Sequence, residues 1–294
     1  MTAVIPAFNA SRYIDTAIQS VLSQTYRPIE CIVVDDGSTD STAAQVRRWG
    51  DRVRLIQQPN TGVSAARNAG AAHAQGHWLA FLDADDAWKP DKLARQVVAA
   101  GSGATDRVVV CSVELIDAGG DRHGQLGWQS PSNVLESLLM LNARTVSCSS
   151  TLFMTRERFA SVQGFDGELS MSADWDLLVR LAMRFSVSVL NVPLAEYRVH
   201  EGNMSRDIAL QERDMIHAVH KAFVDPALPK QFLPRRRRAL ANLHRMLAGS
   251  FYVTGARRRA LYHVARSIGY SPSVLQYYLE YPARRLARGG SRRR

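Results

Sequence analysis

Side chains able to do acid–base or metal chemistry gather in four short stretches of the chain. Asp83-Ala84-Asp85-Asp86 and Asp35-Asp36-Gly37-Ser38 each follow an apolar run. Asp174-Trp175-Asp176 begins an amphipathic stretch, and His200 closes Tyr197-Arg198-Val199-His200. Each has an ordinary reading in isolation. An acidic turn before a helix is common, and Asp-Asp-Gly-Ser suits a strand-to-helix turn with a capping serine. A carboxylate in a first helical turn complements the helix dipole, and a lone histidine most often serves packing. Carboxylates do not bind phosphate directly, so beside a phosphorylated ligand they imply a divalent cation in between. Two carboxylates on one tight turn, such as Asp83 and Asp85, can hold Mg²⁺ or Mn²⁺ against a diphosphate. The glycine loops that cradle phosphate are missing. Pro6-Ala7-Phe8-Asn9 follows the first apolar run in place of G-x-G-x-x-G, and G-x-x-x-x-G-K-[ST] does not occur.

The elements that must position these groups alternate in type. Thr2–Ala7 reads as a short buried strand, and Ile14, Ile18, Val21 and Leu22 recur at helical spacing after Ser11. Ile29–Val34 is a strand, followed by a helix capped by Ser38 or Thr39 and running through Val46 and Trp49. Val53–Ile56 and Trp78–Leu82 are strands separated by an Ala-rich helix over Gly62–Ala74. Pro90 opens a helix over Lys92–Ala99, and Val108–Val113 is the fifth strand. This alternation predicts a parallel sheet covered on both faces, and ligands of such sheets bind at the C-terminal ends of the strands. The acidic clusters fall at those ends. Residues 120–150 read as irregular, Val146–Phe153 and Val187–Val192 as strands, and Ser172–Phe185 as a helix. From about residue 207 the pattern is helical and basic, with a helical hairpin around Gly255.

Composition sets the outer limits. The 294 residues are 46% apolar and 22% charged, ordinary for one or two globular domains. No apolar run reaches the ~18 residues a spanning helix needs, and the N-terminus lacks the pattern of a secretory signal. Cys31, Cys111 and Cys148 cannot all pair and are expected as reduced buried thiols of a cytoplasmic protein. The net charge of +10 is uneven: residues 221–294 carry 17 Lys+Arg against Asp225 and Glu280 alone, a net of +15, whereas residues 1–220 carry 20 basic against 25 acidic residues.

Six motifs taken in order resemble family 2 glycosyltransferases. They are Val4-Ile5-Pro6-Ala7-Phe8-Asn9, Val33-Val34-Asp35-Asp36-Gly37-Ser38-Thr39-Asp40, Asn60-Thr61-Gly62-Val63-Ser64-Ala65-Ala66-Arg67-Asn68, Phe81-Leu82-Asp83-Ala84-Asp85-Asp86, Asp174-Trp175-Asp176-Leu177 and Tyr197-Arg198-Val199-His200. The resemblance spans residues 2–206. It implies an α/β chain of GT-A type. That means a mostly parallel central sheet flanked by helices, with a Rossmann-like nucleotide-binding half and a helical C-terminal extension. A catalytic domain over 1–206 and a basic helical region over 207–294 follow. The implied activity is inverting transfer of a sugar from a nucleotide-sugar donor, expected to be a UDP-sugar, to a carbohydrate or lipid-linked acceptor hydroxyl. The implied setting is assembly of a surface polysaccharide, glycolipid or glycan.

The same resemblance assigns roles. Asp85 is the implied ligand of Mg²⁺ or Mn²⁺, Asp83 contacts the ribose or the metal, and Asp86 caps the turn. Asp35 faces the nucleobase, where a carboxylate can accept the N3–H of uracil, and Pro6 and Phe8 line that pocket, although Phe8 equally suits a core. Arg67 lies near the base or diphosphate, which agrees with an arginine set among Ala, Ser and Asn. Asp174 is the implied catalytic base; the chain reads Ala173-Asp174 where the family commonly has Glu-Asp. Asp176 orients the helix or reaches the acceptor, Trp128 stacks on an acceptor sugar or packs in the core, and His200 meets the diphosphate or the metal.

Two other classes compete. A catalytically inactive relative would bind sugar nucleotide as a scaffold, against which the intact Asp83-x-Asp85 and Asp174 argue. A nucleic-acid-binding protein would use Arg235–Arg238, Arg257–Arg259 and Arg292–Arg294, but no nucleic-acid motif accompanies them, so no specific nucleic acid is expected. The basic region instead suggests peripheral contact with an anionic membrane at its inner face.

Overall fold

The first strand, β1 (Thr2–Ala7), has every side chain buried, as befits a strand covered on both faces. The structure is a computed structural model of the chain and describes residues 1–101, 107–128, 133–141 and 148–280. Around β1 the chain lays down α1 (Ile14–Leu22), β2 (Glu30–Asp35), α2 (Thr42–Arg47), β3 (Arg54–Gln57), α3 (Val63–Ala72) and β4 (Trp78–Phe81). Next come β5 (Ala87–Trp88), α4 (Lys92–Ala100), β6 (Val108–Asp117), β7 (Arg122–Leu126) and α5 (Val134–Leu139). β8 (Phe153–Thr155), α6 (Arg156–Ser161), α7 (Ala173–Arg184) and β9 (Val187–Val199) complete the sheet-bearing part.

The sheet runs β3-β2-β1-β4-β8-β6-β9-β5, with β7 paired to β6. The half from β3 to β4 is parallel, as expected. The other half is mixed: β8 runs antiparallel to both β4 and β6, and β9 runs parallel to β6. The two reversals cancel, so β1, β2, β4 and β9 all end at one edge. Alternation within β2 shows how both faces are filled. Cys31 and Val33 join a core with Ile14, Ile18 and Leu93, while Ile32 and Val34 meet Ala66 of α3 on the other side. α3 lies so close that a Cβ on Gly70 would stand 2.3 Å from Val4 Cγ1, which explains a glycine inside this helix.

Three expectations need correction. Gly119-Gly120 is the turn of the β6–β7 hairpin rather than irregular chain, because Asp117 Oδ1 accepts from Gly119 N (2.8 Å) and Asp121 N (2.9 Å) and closes it. The strand expected over Val146–Phe153 is, where described, a 3₁₀ turn at Ser149–Thr151 followed by β8. There the amides of Thr151 and Leu152 donate to the Cys148 and Ser149 carbonyls, and the Ser150 and Thr151 carbonyls accept from Trp88 and Gln96, so the backbone has no ladder to join. β9 runs seven residues beyond its expected end at Val192, because register shifts at Cys111/Ser112 and Ser112/Val113 absorb Asn191, Val192 and Leu194 and let pairing resume. The residues at 129–131, 146 and 147, and the arginines after Pro282, lie outside the described residues.

The chain divides into two units, one of Met1–Leu138 with Asn142–Asp207 and the other of Leu139–Leu141 with Ile208 onward. The boundary expected at 206 takes no account of Leu139–Leu141. The second unit holds α8 (Ile208–Ala222), α9 (Arg236–Val253) and α10 (Arg257–Tyr270). α9 and α10 form the expected hairpin, turning at Gly255, whose φ of 80° favours glycine. Leu240, Leu243, Leu247 and Phe251 pack inside it. At its centre His244 Nδ1 lies 2.8 Å from His263 Nδ1, and Phe251 stacks on the His263 ring. Burial, then the facing His263, lowers the His244 pKa to about 4. Leu233, Tyr252, Leu261, Leu275 and Leu279 of this region are exposed.

Candidate active site

The common edge of β1, β2, β4 and β9 carries the acidic clusters. After β2, Asp35 and Asp36 are both buried but do different work. Asp35 accepts from Ser38 N (3.1 Å) and Gln57 Nε2 (3.1 Å). Asp36 accepts from Thr61 N (3.0 Å), Gly62 N (2.8 Å) and Gln58 Nε2 (2.7 Å), tying the turn to the start of α3. Gly37 has φ 78°, and a Cβ there would stand 2.8 Å from Asn60 N, so this turn requires glycine on both counts. Asn9, just past β1, donates its backbone N–H to Ser38 Oγ and accepts from Thr39 N. Pro6 is buried in β1, whereas Phe8 is 51% exposed at its end.

After β4, the three aspartates are held by different partners. Arg67 reaches across from α3 and its Nη2 lies 2.5 Å from Asp83 Oδ1. Ser149 Oγ is 2.9 and 2.8 Å from the two Asp83 oxygens and accepts from Arg67 Nη2 (2.8 Å). Burial opposes the Arg67 charge, but Asp83 and then Asp174 outweigh it, and its pKa is raised. Arg67 also lies over the Phe165 ring, and its buried Nε has no hydrogen-bond partner among the described residues. Asp86 is fully enclosed, accepting from Ser150 Oγ (2.6 Å) and Arg198 N (2.9 Å). Burial, then the charges of Asp85 and Asp83, pushes its pKa well up.

Asp85, like Asp83 and unlike Asp86, is partly open to solvent. Its side chain is 31% exposed, and its Oδ2 lies 3.0 Å from His200 Nε2, just past the end of β9. Burial and then the Asp83 charge raise its pKa, and the His200 hydrogen bond opposes them. Arg198 secures the turn by donating from Nε to the Asp85 carbonyl (2.9 Å) while its guanidinium lies over Tyr13. An oxygen and an imidazole nitrogen converging among mutually repelling carboxylates is a donor set that suits a divalent cation. Asp83, Asp86 and Cys148 also bring ligand atoms within 4.8 Å of one another. That trio is less suited: each Asp86 oxygen already accepts a hydrogen bond, from Ser150 and Arg198, and burial first, then the Asp86 charge, pushes the Cys148 pKa well up, which favours the thiol over the thiolate a metal needs.

Asp174 sits half-buried in the first turn of α7, where the helix dipole favours its ionised form. Its charge acts on both Arg67 and Cys148, which places it beside the β4 cluster. Asp176, two residues on, is turned inward. It is 2% exposed and accepts from Arg180 Nε (2.8 Å) and Nη2 (2.6 Å). Trp128 is 1% exposed, so its ring is interior in this structure. The structure thus gathers Arg67, Asp83, Asp85, Asp174 and His200, sets Asp35 and Phe8 along the same edge, and encloses Trp128 and Asp176.

Ser149, Ser150, Arg198 and Asp36 were not singled out by sequence reasoning. The run Cys148-Ser149-Ser150-Thr151 was the available signal: hydroxyls without turn glycines suggest side-chain partners. The turn is supported from behind. Trp88 Nε1 donates to Ser150 O (2.9 Å), Gln96 Nε2 to Thr151 O (2.8 Å), and Lys92 Nζ to Gln96 Oε1 (2.7 Å). Lys92 is fully buried over the Trp88 ring, and burial lowers its pKa from 10.5 to about 8. Between those two values the unfolded chain binds the extra proton, so this group's contribution to stability increases as pH rises from about 8 to 10.5. Urea unfolding of the parent and of Lys92→Met should therefore show a free-energy difference that shifts in the parent's favour across that window. A difference independent of pH would contradict a buried amine.

Comparison with known proteins agrees with this geometry. Residues 2–161 match the family model described as glycosyl transferase family 2. The succinoglycan biosynthesis protein ExoO of Rhizobium meliloti is 32% identical over 243 residues, covering 76% of this chain and 68% of that protein. Among solved structures, the mannosyltransferase PcManGT from Pyrobaculum calidifontis, in complex with GDP-Man and Mn²⁺, aligns with a TM-score of 0.65 at 21% identity, over 97% of this chain and 79% of that one. S. aureus TarS 1-349 in complex with UDP-GlcNAc aligns with a TM-score of 0.62 at 17% identity, over 95% and 91% of the two chains. With the GT-A-like sheet, the acidic edge and the family match in agreement, the chain belongs to glycosyl transferase family 2.

Proposed function

We propose that the protein is an inverting, metal-dependent glycosyltransferase that moves a sugar from a nucleoside-diphosphate sugar, with UDP the favoured nucleotide, to an acceptor hydroxyl. The observation that carries this reading is the partly exposed Asp85–His200 pair at 3.0 Å, next to the Arg67–Asp83 ion pair and the carboxylate of Asp174. Asp85 and His200 would hold Mg²⁺ or Mn²⁺, whose positive charge stabilises a leaving diphosphate. Arg67 orients Asp83 toward the ribose or metal and brings a cation close to the donor. Asp35, at the end of β2 and paired in register with Ala7 between Pro6 and Phe8, reads the nucleobase. Asp174 takes the proton of the acceptor hydroxyl as its oxygen attacks the anomeric carbon from the face opposite the leaving group. Asp176, held by Arg180, orients α7.

The relatives bear on the rest. The name of ExoO supports polysaccharide assembly, and the titles of TarS and PcManGT name UDP-GlcNAc and GDP-Man as their bound donors. A carbohydrate or lipid-linked acceptor, a cytoplasmic location and peripheral membrane contact complete the proposal. No helix among the described residues is long and apolar enough to cross a membrane.

The test is a thermal-shift screen of UDP-, GDP- and dTDP-sugars, each with Mg²⁺, Mn²⁺ or chelator. A UDP-sugar is expected to raise the melting temperature in the presence of metal and not with chelator. No shift with any donor would refute the reading. A shift without turnover on any acceptor would favour the inactive scaffold.

A further inference from the structure

The outer face of α10 carries apolar side chains that no other described residue covers. One side of the helix carries Ala260, His263 and Ser267, all buried against α9. On the other side, at helical spacing, stand Leu261 (68% exposed), Tyr262 (53% exposed) and Ala265. The hairpin tip before it adds Tyr252 and Val253, the latter 83% exposed. Arg257 and Arg258 are exposed at the start of α10, and no Asp or Glu occurs between residues 226 and 279. Arg259 is engaged by Glu212 at 2.8 Å and Arg266 by the Tyr270 hydroxyl at 2.8 Å, so the arginines offered beside the apolar stripe are Arg257 and Arg258.

We infer that this face, from the hairpin tip along α10, docks on an anionic lipid bilayer. This deepens the peripheral membrane contact proposed above and does not depend on the transfer reaction. Charge decides between occupants. A second copy docking by the same face would bring arginine against arginine, and so would the chain after residue 280, which contains arginines and no acidic residue. An anionic partner is required. Nucleic acid would satisfy the arginines but has no use for Leu261 and Val253, whereas a bilayer interface accepts both. Apolar and aromatic side chains enter the headgroup region while flanking arginines meet lipid phosphates. Tyrosine suits that boundary, with an apolar ring and a polar tip.

The test is sedimentation of the full-length protein with vesicles of phosphatidylcholine alone or with roughly one third phosphatidylglycerol. Binding is expected only to the anionic vesicles and to weaken with salt. Leu261→Ser with Tyr262→Ser should lower partitioning about tenfold or more. Arg257→Gln with Arg258→Gln should lower it roughly fivefold for each arginine. Val98→Ser, which removes an 83% exposed apolar side chain of α4, should change nothing. Circular dichroism melts confirm that each variant is folded, and UDP binding without vesicles, expected to be unchanged in all, reads the donor site separately. Failure of the parent to bind anionic vesicles at low salt, or parental binding by folded Leu261/Tyr262 variants, would overturn the inference. So would retention on duplex DNA without vesicle binding, or loss of self-association as the only effect of the double variants. Absence of UDP binding in the parent would instead overturn the donor reading and leave the vesicle result standing.

Discussion

Asp174→Asn is expected to lower kcat by about 10²-fold or more while leaving UDP affinity nearly intact. A general base contributes about 10²–10⁴-fold, and asparagine keeps the shape of the side chain but cannot take a proton. The position favours this role: a negative charge in the first turn of α7 complements the helix dipole, and it acts on Arg67 of the β4 cluster. Initial rates at saturating donor, with UDP titration by calorimetry, separate the two effects. Near-parental turnover would end the assignment. Asp176→Asn serves as the contrast. Its carboxylate is buried and bonded twice to Arg180, so its loss strands a buried charge at a cost of about 3–5 kcal/mol in stability. Thermal unfolding, rather than residual chemistry, should report it.

Asp85→Asn is expected to abolish the metal dependence of donor binding. The carboxylate is partly exposed and lies next to the His200 imidazole, whereas that of Asp83 is taken up by Arg67 and Ser149. Burial and the neighbouring Asp83 already make its charge costly, and a bound cation would relieve that cost. Asparagine keeps a weak oxygen ligand without the charge. UDP affinity in Mn²⁺ should then fall by roughly 10²-fold toward the metal-free value, since such a cation is worth several kcal/mol. Calorimetry with and without Mn²⁺ decides; a variant that still binds UDP better in Mn²⁺, by the parent's margin, would move the metal elsewhere in the cluster.

The parallel half of the sheet was legible because its strands are continuous apolar runs and each ends in a turn of recognisable chemistry. Ile32 and Val34 needed only their own neighbours to be read. The mixed half was not, since β8 is three residues long and is defined by strands far away in sequence. The site divides in the same way. Asp83, Asp85 and Asp174 were legible from local motifs, but the separate duties of Asp35 and Asp36 were not, because the groups that bind Asp36 lie 22 to 26 residues on. Ser149 and Ser150 were hidden for the same reason: their meaning comes from aspartates more than 60 residues earlier. In the basic region, periodicity identified α9 and α10 but could not tell which apolar residues had a partner. Leu243 and Leu261 look alike in sequence, and only one is buried.

Leu139–Leu141 belongs with the C-terminal helices although the chain on either side belongs with the sheet, and Asn242 Nδ2 of α9 donates to the Met140 carbonyl. The two units are therefore interleaved along the chain and not strung end to end. Cutting at residue 207 would not release a module; it would leave a three-residue splint without the helix it belongs to. Exchange of C-terminal regions between relatives, in the laboratory or in descent, would have to carry that inner segment along with the tail.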